Sequence, residues 1–211
     1  MAEMHRICGP LSPDLGNSSV GSQYGLRTPS KWRCFFMKKT NLSVKDLVTM
    51  AFYLALFMVF DAFVNTLPFF QMPQGGSLGI STVVLLIASY HLGFKKGLIV
   101  SVLSVLLQFV TGRMYILGFT QFCLDYLIAF GAYGFACLFP NYKEFYSGVL
   151  ITNCIRFISS TISGVVFYNT TLATSIIYQA WYMVPTTIVG LIFVPLLYKA
   201  LSPRIKEKAV A

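Results

Sequence analysis

The sequence predicts an all-α integral membrane protein with six transmembrane helices. Only 11% of its 211 residues are charged and 56% are hydrophobic, whereas a soluble domain carries about 25% charged residues. Between positions 51 and 195 the acidic residues are limited to Asp61, Asp125 and Glu144. Apolar stretches close to the roughly 20 residues that cross a bilayer recur along the same region. These observations exclude an ordinary water-soluble domain.

Residues 1–36 differ from the rest of the chain. They are rich in Gly, Ser and Pro, and they lack both helical periodicity and the continuous apolar core of a signal peptide. Met37-Lys38-Lys39 then opens like the N-terminus of a bacterial membrane protein. We interpret residues 1–36 as a non-native leader, present because the assigned start codon lies upstream of the true start at Met37. The alternative is that they form a disordered tail. Residues 37–211 form the predicted membrane domain.

Six spans are predicted, at residues 48–67, 78–94, 97–112, 117–139, 147–168 and 176–199. The second and third are short, so we expect them to tilt little or to fall short of crossing the bilayer. Polar or helix-breaking residues separate the spans. These breaks contain Pro68 with Pro73-Gln74-Gly75-Gly76, Lys95-Lys96-Gly97, Gly112-Arg113, Pro140-Asn141 and Asn169-Thr170-Thr171.

The basic residues predict the orientation, because lysine and arginine in short loops remain cytoplasmic. With both termini in the cytoplasm, the outer loops hold Arg113 as their basic residue. The net charge of +9 therefore reflects residues at the ends of apolar runs, and we exclude nucleic acid as a partner. The cytoplasmic basic residues are Lys38, Lys39, Lys45, Lys95, Lys96, Lys143, Lys199, Arg204, Lys206 and Lys208.

Three charged side chains inside the predicted spans are candidates for function, because each costs about 2.5–3.5 kcal/mol at a helix centre unless it pairs or lines a cavity. Asp125 lies in the outer half of the fourth span, among aromatic and polar neighbours. It is either the structural ion-pair partner of Arg156 in the fifth span or the counter-charge for a cationic ligand. Asp61 lies near the outer end of the first span, where we expect it to be solvated.

Small residues at a spacing of four positions mark the first span. Ala51 and Ala55 leave a shallow groove that permits close approach of another helix. Such a pair serves either internal packing or docking onto a partner membrane protein, and the residues alone leave both open.

Five motifs follow one another along residues 44–200. They are Met72-Pro73-Gln74-Gly75-Gly76-Ser77, Gly93-Phe94-Lys95-Lys96-Gly97, the segment Leu124-Asp125-Tyr126-Leu127-Ile128-Ala129-Phe130, Arg156 with Ile162-Ser163-Gly164-Val165-Val166-Phe167, and Tyr182-Met183-Val184-Pro185. In this order they together resemble the thiamine-binding S-components (ThiT/YuaJ type) of energy-coupling-factor (ECF) transporters.

The resemblance implies a six-helix protein that binds a vitamin in a pocket open to the outside. It also implies a transmembrane coupling protein and two ATPase subunits as partners, with Ala51 and Ala55 docking onto the coupling protein. The sequence itself contains no GxxxxGK[ST] nucleotide-binding motif.

The family's ligand contacts, carried over by position, predict a cradle in which aromatic faces stack on the two rings of thiamine and one carboxylate compensates its positive charge. Two positions depart from the family pattern: Ser160 replaces a histidine and Gln179 replaces an asparagine. These departures predict either a lower affinity or a precursor ligand, hydroxymethylpyrimidine or the thiazole alcohol. The implied ligand-binding residues are Phe70, Tyr115, Asp125, Tyr126, Ser160, Tyr168, Tyr178 and Gln179.

The leader acquires a second interpretation beside this resemblance. Ala2-Glu3-Met4 and residues 13–21 can be encoded by nucleotide strings that resemble, in the correct order, the conserved sequence of the thiamine-pyrophosphate riboswitch. The leader is then untranslated regulatory RNA read as protein.

Two other functional classes remain. A proton-coupled solo carrier could use Asp125 as its titrating group, although inverted repeats that would favour such a carrier are not evident. An intramembrane enzyme is disfavoured, because His91 is the one histidine in a span and lies away from Asp125. The five cysteines lack metal or redox spacing, so no metal and no cofactor are predicted.

Overall fold

The computed structural model describes residues 42–66, 72, 76–112, 114–142 and 145–210, and the predicted leader lies outside these residues. Six helices occupy the described part. They are α1 (Val44–Thr66), α2 (Ile80–Leu92), α3 (Phe94–Val110), the composite helix α4 at residues 119–134, α5 (Ser147–Phe167) and α6 (Leu172–Val210). The prediction of a mainly helical chain with six helices is confirmed for the described residues.

Among the described helices, α1, α5 and the Leu172–Leu201 part of α6 are both long enough and apolar enough to cross a membrane. Helix α2 has 13 residues and α3 has 17, as their short predicted spans indicated. At about 1.5 Å per residue, 13 helical residues reach about 20 Å, less than the roughly 30 Å of a hydrocarbon core. Helix α2 is instead buried among its neighbours from Ser81 to Ser89.

The break between α2 and α3 differs from the predicted one at Lys95-Lys96-Gly97. The chain turns at Gly93, whose φ of 83° is a conformation that favours glycine, and both lysines begin α3. Gly97 lies inside α3, where an added Cβ would stand 2.7 Å from the Cα of Ser89. Gly97 therefore permits the close packing of α2 against α3 and does not form the turn.

Helix α4 changes its winding along its length. An α segment, Phe119–Phe122, leads into a π-helical segment, Cys123–Ile128, and the α winding resumes at Ala129–Gly134. A π segment shifts the register of the side chains that follow it, and such segments are frequent at functional sites. The residues with π winding include Asp125 and Tyr126.

A short hairpin interrupts the helices after α4. Strands β1 (Asn141–Tyr142) and β2 (Phe145–Tyr146) pair antiparallel at the position predicted as a break, a small departure from a purely helical fold. The apolar core lies between the helices. Its fully buried side chains include Phe57 of α1, Leu85 and Leu86 of α2, Val149 of α5 and Val194 of α6. Helix α6 continues to Val210, eleven residues past its predicted end at 199.

Candidate ligand-binding site

A cavity of about 280 Å³ lies among the helices, at the end of the bundle that carries the α1–α2, α3–α4 and α5–α6 connections. This volume is near the lower end of the range for small-molecule pockets, which is about 300–1,000 Å³. Its described lining residues come from all six helices and from the α1–α2 and α5–α6 connections. They are Asp61, Asn65, Gly76, Ser77, Gly79, Ser81, Thr82, Gln108, Asp125, Tyr126, Phe130, Arg156, Ser160, Gly164, Tyr168, Thr170, Thr174, Ser175, Tyr178, Gln179 and Tyr182.

The carboxylate of Asp125 is held in place by two neighbouring side chains. The Gln121 amide and the Ser163 hydroxyl each donate a hydrogen bond to Oδ2, both at 2.7 Å. Gln121 is completely buried and also bonds the connection before α4, through the carbonyl of Tyr115 at 3.2 Å and the amide of Leu117 at 3.2 Å. Gln121 thus fixes the carboxylate and the adjacent connection to each other.

Asp125 and Arg156, both within the described residues, form no direct ion pair at 4.0 Å or less. The guanidinium of Arg156 donates a hydrogen bond to the Tyr133 hydroxyl at 3.1 Å, and its Cζ lies 4.7 Å from the centre of the Phe130 ring. Tyr133 in turn donates to Asn153 at 3.0 Å. Arg156 therefore has its own polar and aromatic partners, and the negative charge of Asp125 faces the cavity without a contacting cation from the described residues.

Aromatic and amide groups complete this side of the cavity. The rings of Tyr126, Tyr168 and Tyr178 line it together with the Gln179 side chain. The Gln179 amide donates to the Ser160 carbonyl at 3.2 Å, and its oxygen accepts from the Tyr182 hydroxyl. These contacts fix the orientation of the Gln179 amide at the cavity surface.

The structure brings together six of the eight implied ligand-binding residues. Asp125, Tyr126, Ser160, Tyr168, Tyr178 and Gln179 all line the cavity. Tyr115 does not line it; its ring is 53% exposed and packs against Tyr168, with 6.1 Å between the ring centres. The implied contact at Phe70 lies outside the described residues.

The expectation that Asp61 is solvated is wrong. Its side chain is 5% exposed, and it lines the cavity from α1, together with Asn65 one helical turn later. Sequence reasoning placed Asp61 by its distance from the helix end, which does not reveal the face of the helix on which it lies. It also missed Ser81, Thr82 and Gln108, because short polar residues in an apolar span give no motif. We call the set Asp61, Asn65, Ser81, Thr82 and Gln108 the α1–α3 wall.

Ala51 and Ala55 lie away from this cavity, on an exposed face of α1. Phe52 and Val59 are also exposed on α1, at 65% and 64%. Both small residues are thus exposed on the described part of α1, and docking onto a partner stays a prediction.

A buried cavity that combines carboxylates, aromatic rings and amides in a multi-helix membrane protein is typical of a binding site for a small polar solute. The sequence profile of one family, described as "Thiamine transporter protein (Thia_YuaJ)", matches residues 47–206. The chain belongs to this thiamine transporter family. It is accordingly a multi-pass integral protein of the bacterial membrane and a thiamine transport component.

Two known proteins are similar to this chain. The thiamine transporter ThiT of Bacillus subtilis (strain 168) is 30% identical over 158 aligned residues, and the match covers 65% of this chain and 82% of that relative. A solved structure of ThiT from Listeria monocytogenes superposes with a TM-score of 0.56 at 21% identity. The superposition covers 74% of this chain and 98% of the Listeria chain. The second similarity shows that the fold is shared.

Proposed function

We propose that this chain is the substrate-binding membrane component of an ECF-type vitamin importer. It binds thiamine from the outside, and a separate transmembrane coupling protein with two ATPase subunits drives uptake. Both termini lie in the cytoplasm, as the distribution of lysine and arginine requires. The observation that carries the proposal is the cavity, in which Asp125, Tyr126, Tyr168 and Gln179 converge.

The chemistry of thiamine matches these groups. Its thiazolium ring carries a permanent positive charge, which the carboxylate of Asp125 compensates in a site of low dielectric constant. The tyrosine rings offer faces on which a cationic ring and an aminopyrimidine ring both stack. The Gln179 amide offers a donor and an acceptor of the kind that reads the edge of a heteroaromatic ring.

The separation of Asp125 from Arg156 supports ligand binding over a purely structural role. A carboxylate that served only to neutralise a buried arginine would be expected in direct contact with it. Asp125 instead accepts hydrogen bonds from the neutral side chains of Gln121 and Ser163, and no cation among the described residues contacts it.

Docking onto the coupling protein is assigned to the exposed face around Ala51 and Ala55. Small side chains allow two helix backbones to approach closely in a membrane, where packing and not hydrophobicity drives helix association. The chain itself has no nucleotide-binding motif, so energy for uptake must come from another subunit or from an ion gradient.

Isothermal titration calorimetry of the purified protein with thiamine, hydroxymethylpyrimidine and the thiazole alcohol tests the ligand. Calorimetry is preferable to tryptophan fluorescence, because Trp181 is 75% exposed and does not line the cavity. We expect the tightest binding for thiamine. If either precursor bound more tightly than thiamine, that precursor would be assigned as the substrate.

The energy source is tested by uptake of labelled thiamine in cells that lack the ATPase subunits. We expect uptake to disappear. Uptake that persists without the ATPases and collapses with the proton gradient would instead identify a solo carrier.

A further inference from the structure

The α1–α3 wall lines the same cavity as the residues that the family resemblance identifies, but it comes from helices α1, α2 and α3. Its members are polar although they lie in the apolar helices α1, α2 and α3. Asp61 and Ser81 are each 5% exposed, Thr82 is 2% exposed and Gln108 is 5% exposed. Burial of polar side chains is costly unless they find partners. Thr82 has one, because its hydroxyl donates to the Gly79 carbonyl, and Asp61 and Asn65 also interact with other groups of the protein.

Two of these side chains retain unused hydrogen-bonding capacity. The Ser81 hydroxyl makes no hydrogen bond within the described part of the chain. Gln108 donates one long bond, from Nε2 to the Ser104 carbonyl at 3.4 Å, and its side-chain oxygen accepts none from the described residues. Both residues line the cavity, so their open positions are available to a molecule inside it.

Asp61 gives this wall its chemical selectivity. An ionised carboxylate only accepts hydrogen bonds, and it repels an anion. Because Asp61 is buried and lines the cavity, it favours a group that donates a hydrogen bond and disfavours a phosphate or a carboxylate at the same place.

We propose that the α1–α3 wall is a second recognition subsite, separate from Asp125, in which Asp61 accepts a hydrogen bond from an uncharged donor group of the ligand. The donor is an exocyclic amine or a hydroxyl, and Ser81 and Gln108 supply further contacts beside it. The inference rests on the proposed function, because thiamine carries one such donor at each end and a cationic ring between them.

The test combines a change in the protein with a change in the ligand. Asp61→Asn keeps the size of the side chain and removes its charge, and binding is measured by calorimetry with thiamine and two analogues. One analogue lacks the exocyclic amine and the other lacks the hydroxyl. Asp46→Asn is the matched control, because Asp46 lies on the same helix but pairs with Lys96 at 2.6 Å outside the cavity.

We expect Asp61→Asn to weaken thiamine binding about fivefold to tenfold, since a hydrogen bond to a charged group is roughly twice as strong as a neutral one. The analogue that lacks the contacted donor should bind the wild type and Asp61→Asn with almost equal affinity. This result identifies the ligand group that donates a hydrogen bond to Asp61. Asp46→Asn should bind all three ligands like the wild type.

An equal loss for all three ligands, or no loss for any of them, would overturn the inference while leaving thiamine binding intact. If wild-type protein failed to bind thiamine, the proposed function would fall and the inference with it. If Asp61→Asn does not fold, Gln108→Met is measured with the same three ligands. The subsite is supported only if Gln108→Met weakens the binding of thiamine and leaves the binding of one of the two analogues unchanged.

Discussion

Asp125→Asn tests whether the cavity recognises a positive charge. The substitution keeps the size of the side chain and one acceptor oxygen, which can still accept from Gln121 or Ser163. A cation about 4 Å from the carboxylate gains about 4 kcal/mol at an effective dielectric constant of about 20. Loss of one partner of a buried charge pair costs about 2–5 kcal/mol in measured interfaces. We therefore expect a loss of roughly 2–4 kcal/mol, or about 30- to 1,000-fold in dissociation constant.

The assay compares two ligands on the same variant. Thiamine carries the permanent charge, whereas hydroxymethylpyrimidine is uncharged and shares only the pyrimidine ring. Calorimetric dissociation constants for both ligands separate the loss of charge recognition from general damage to the cavity. Thiamine should lose far more affinity than the pyrimidine does.

Arg156 supplies the control for a structural role. Its hydrogen bond to Tyr133 and its position over Phe130 should hold it in place when Asp125 is neutral, so Asp125→Asn should express and melt like the wild type. If Asp125 served only to neutralise Arg156, the single variant would be unstable and Arg156→Gln would rescue it. Equal weakening of both ligands together with such rescue would refute the assignment.

Three further predictions follow from the same structure. Replacing Ala51 and Ala55 with Trp should abolish energised uptake and leave calorimetric thiamine binding intact, since both residues are exposed on α1 and away from the cavity; loss of binding would contradict a docking role. Deleting residues 1–36 should leave membrane insertion and binding unchanged, as measured by fractionation and calorimetry, and failure of either would refute the leader interpretation. Gln121→Met should weaken thiamine binding about tenfold, because a bond to the Asp125 carboxylate is lost; an unchanged dissociation constant would refute this positioning role.

The helices were predictable because membrane spans are set by apolar length, and that signal is local in the sequence. The predicted span at 147–168 and the observed α5, Ser147–Phe167, agree almost residue for residue. The turn at Gly93 was misplaced because two lysines resemble a loop, yet lysine side chains at a helix end can extend to the membrane surface. The π winding at Cys123–Ile128 has no signature in the apolar pattern, so the sequence could not reveal it.

The site residues divide in the same way. Asp125, Tyr126 and Gln179 could be named because the ligand contacts of the resembling family carry over to their positions, and the structure brings them to one cavity. The α1–α3 wall could not be named as a set, because its residues come from three different helices and share no motif. Only the packing of α1, α2 and α3 shows that Asp61 and Gln108 face a common space.

The charges around the cavity favour a particular kind of ligand. Among the described residues, Asp61, Asp125 and Arg156 line it, and with both carboxylates ionised these three groups sum to one negative charge. Each buried charge costs free energy in a membrane, so a ligand that completes neutrality removes part of that cost when it binds. On the proposed function, a monocation such as thiamine satisfies this condition. A phosphate ester of thiamine does not, because its phosphate adds negative charge beside the two carboxylates. We therefore expect thiamine to bind more tightly than its phosphate esters in the same calorimetric assay.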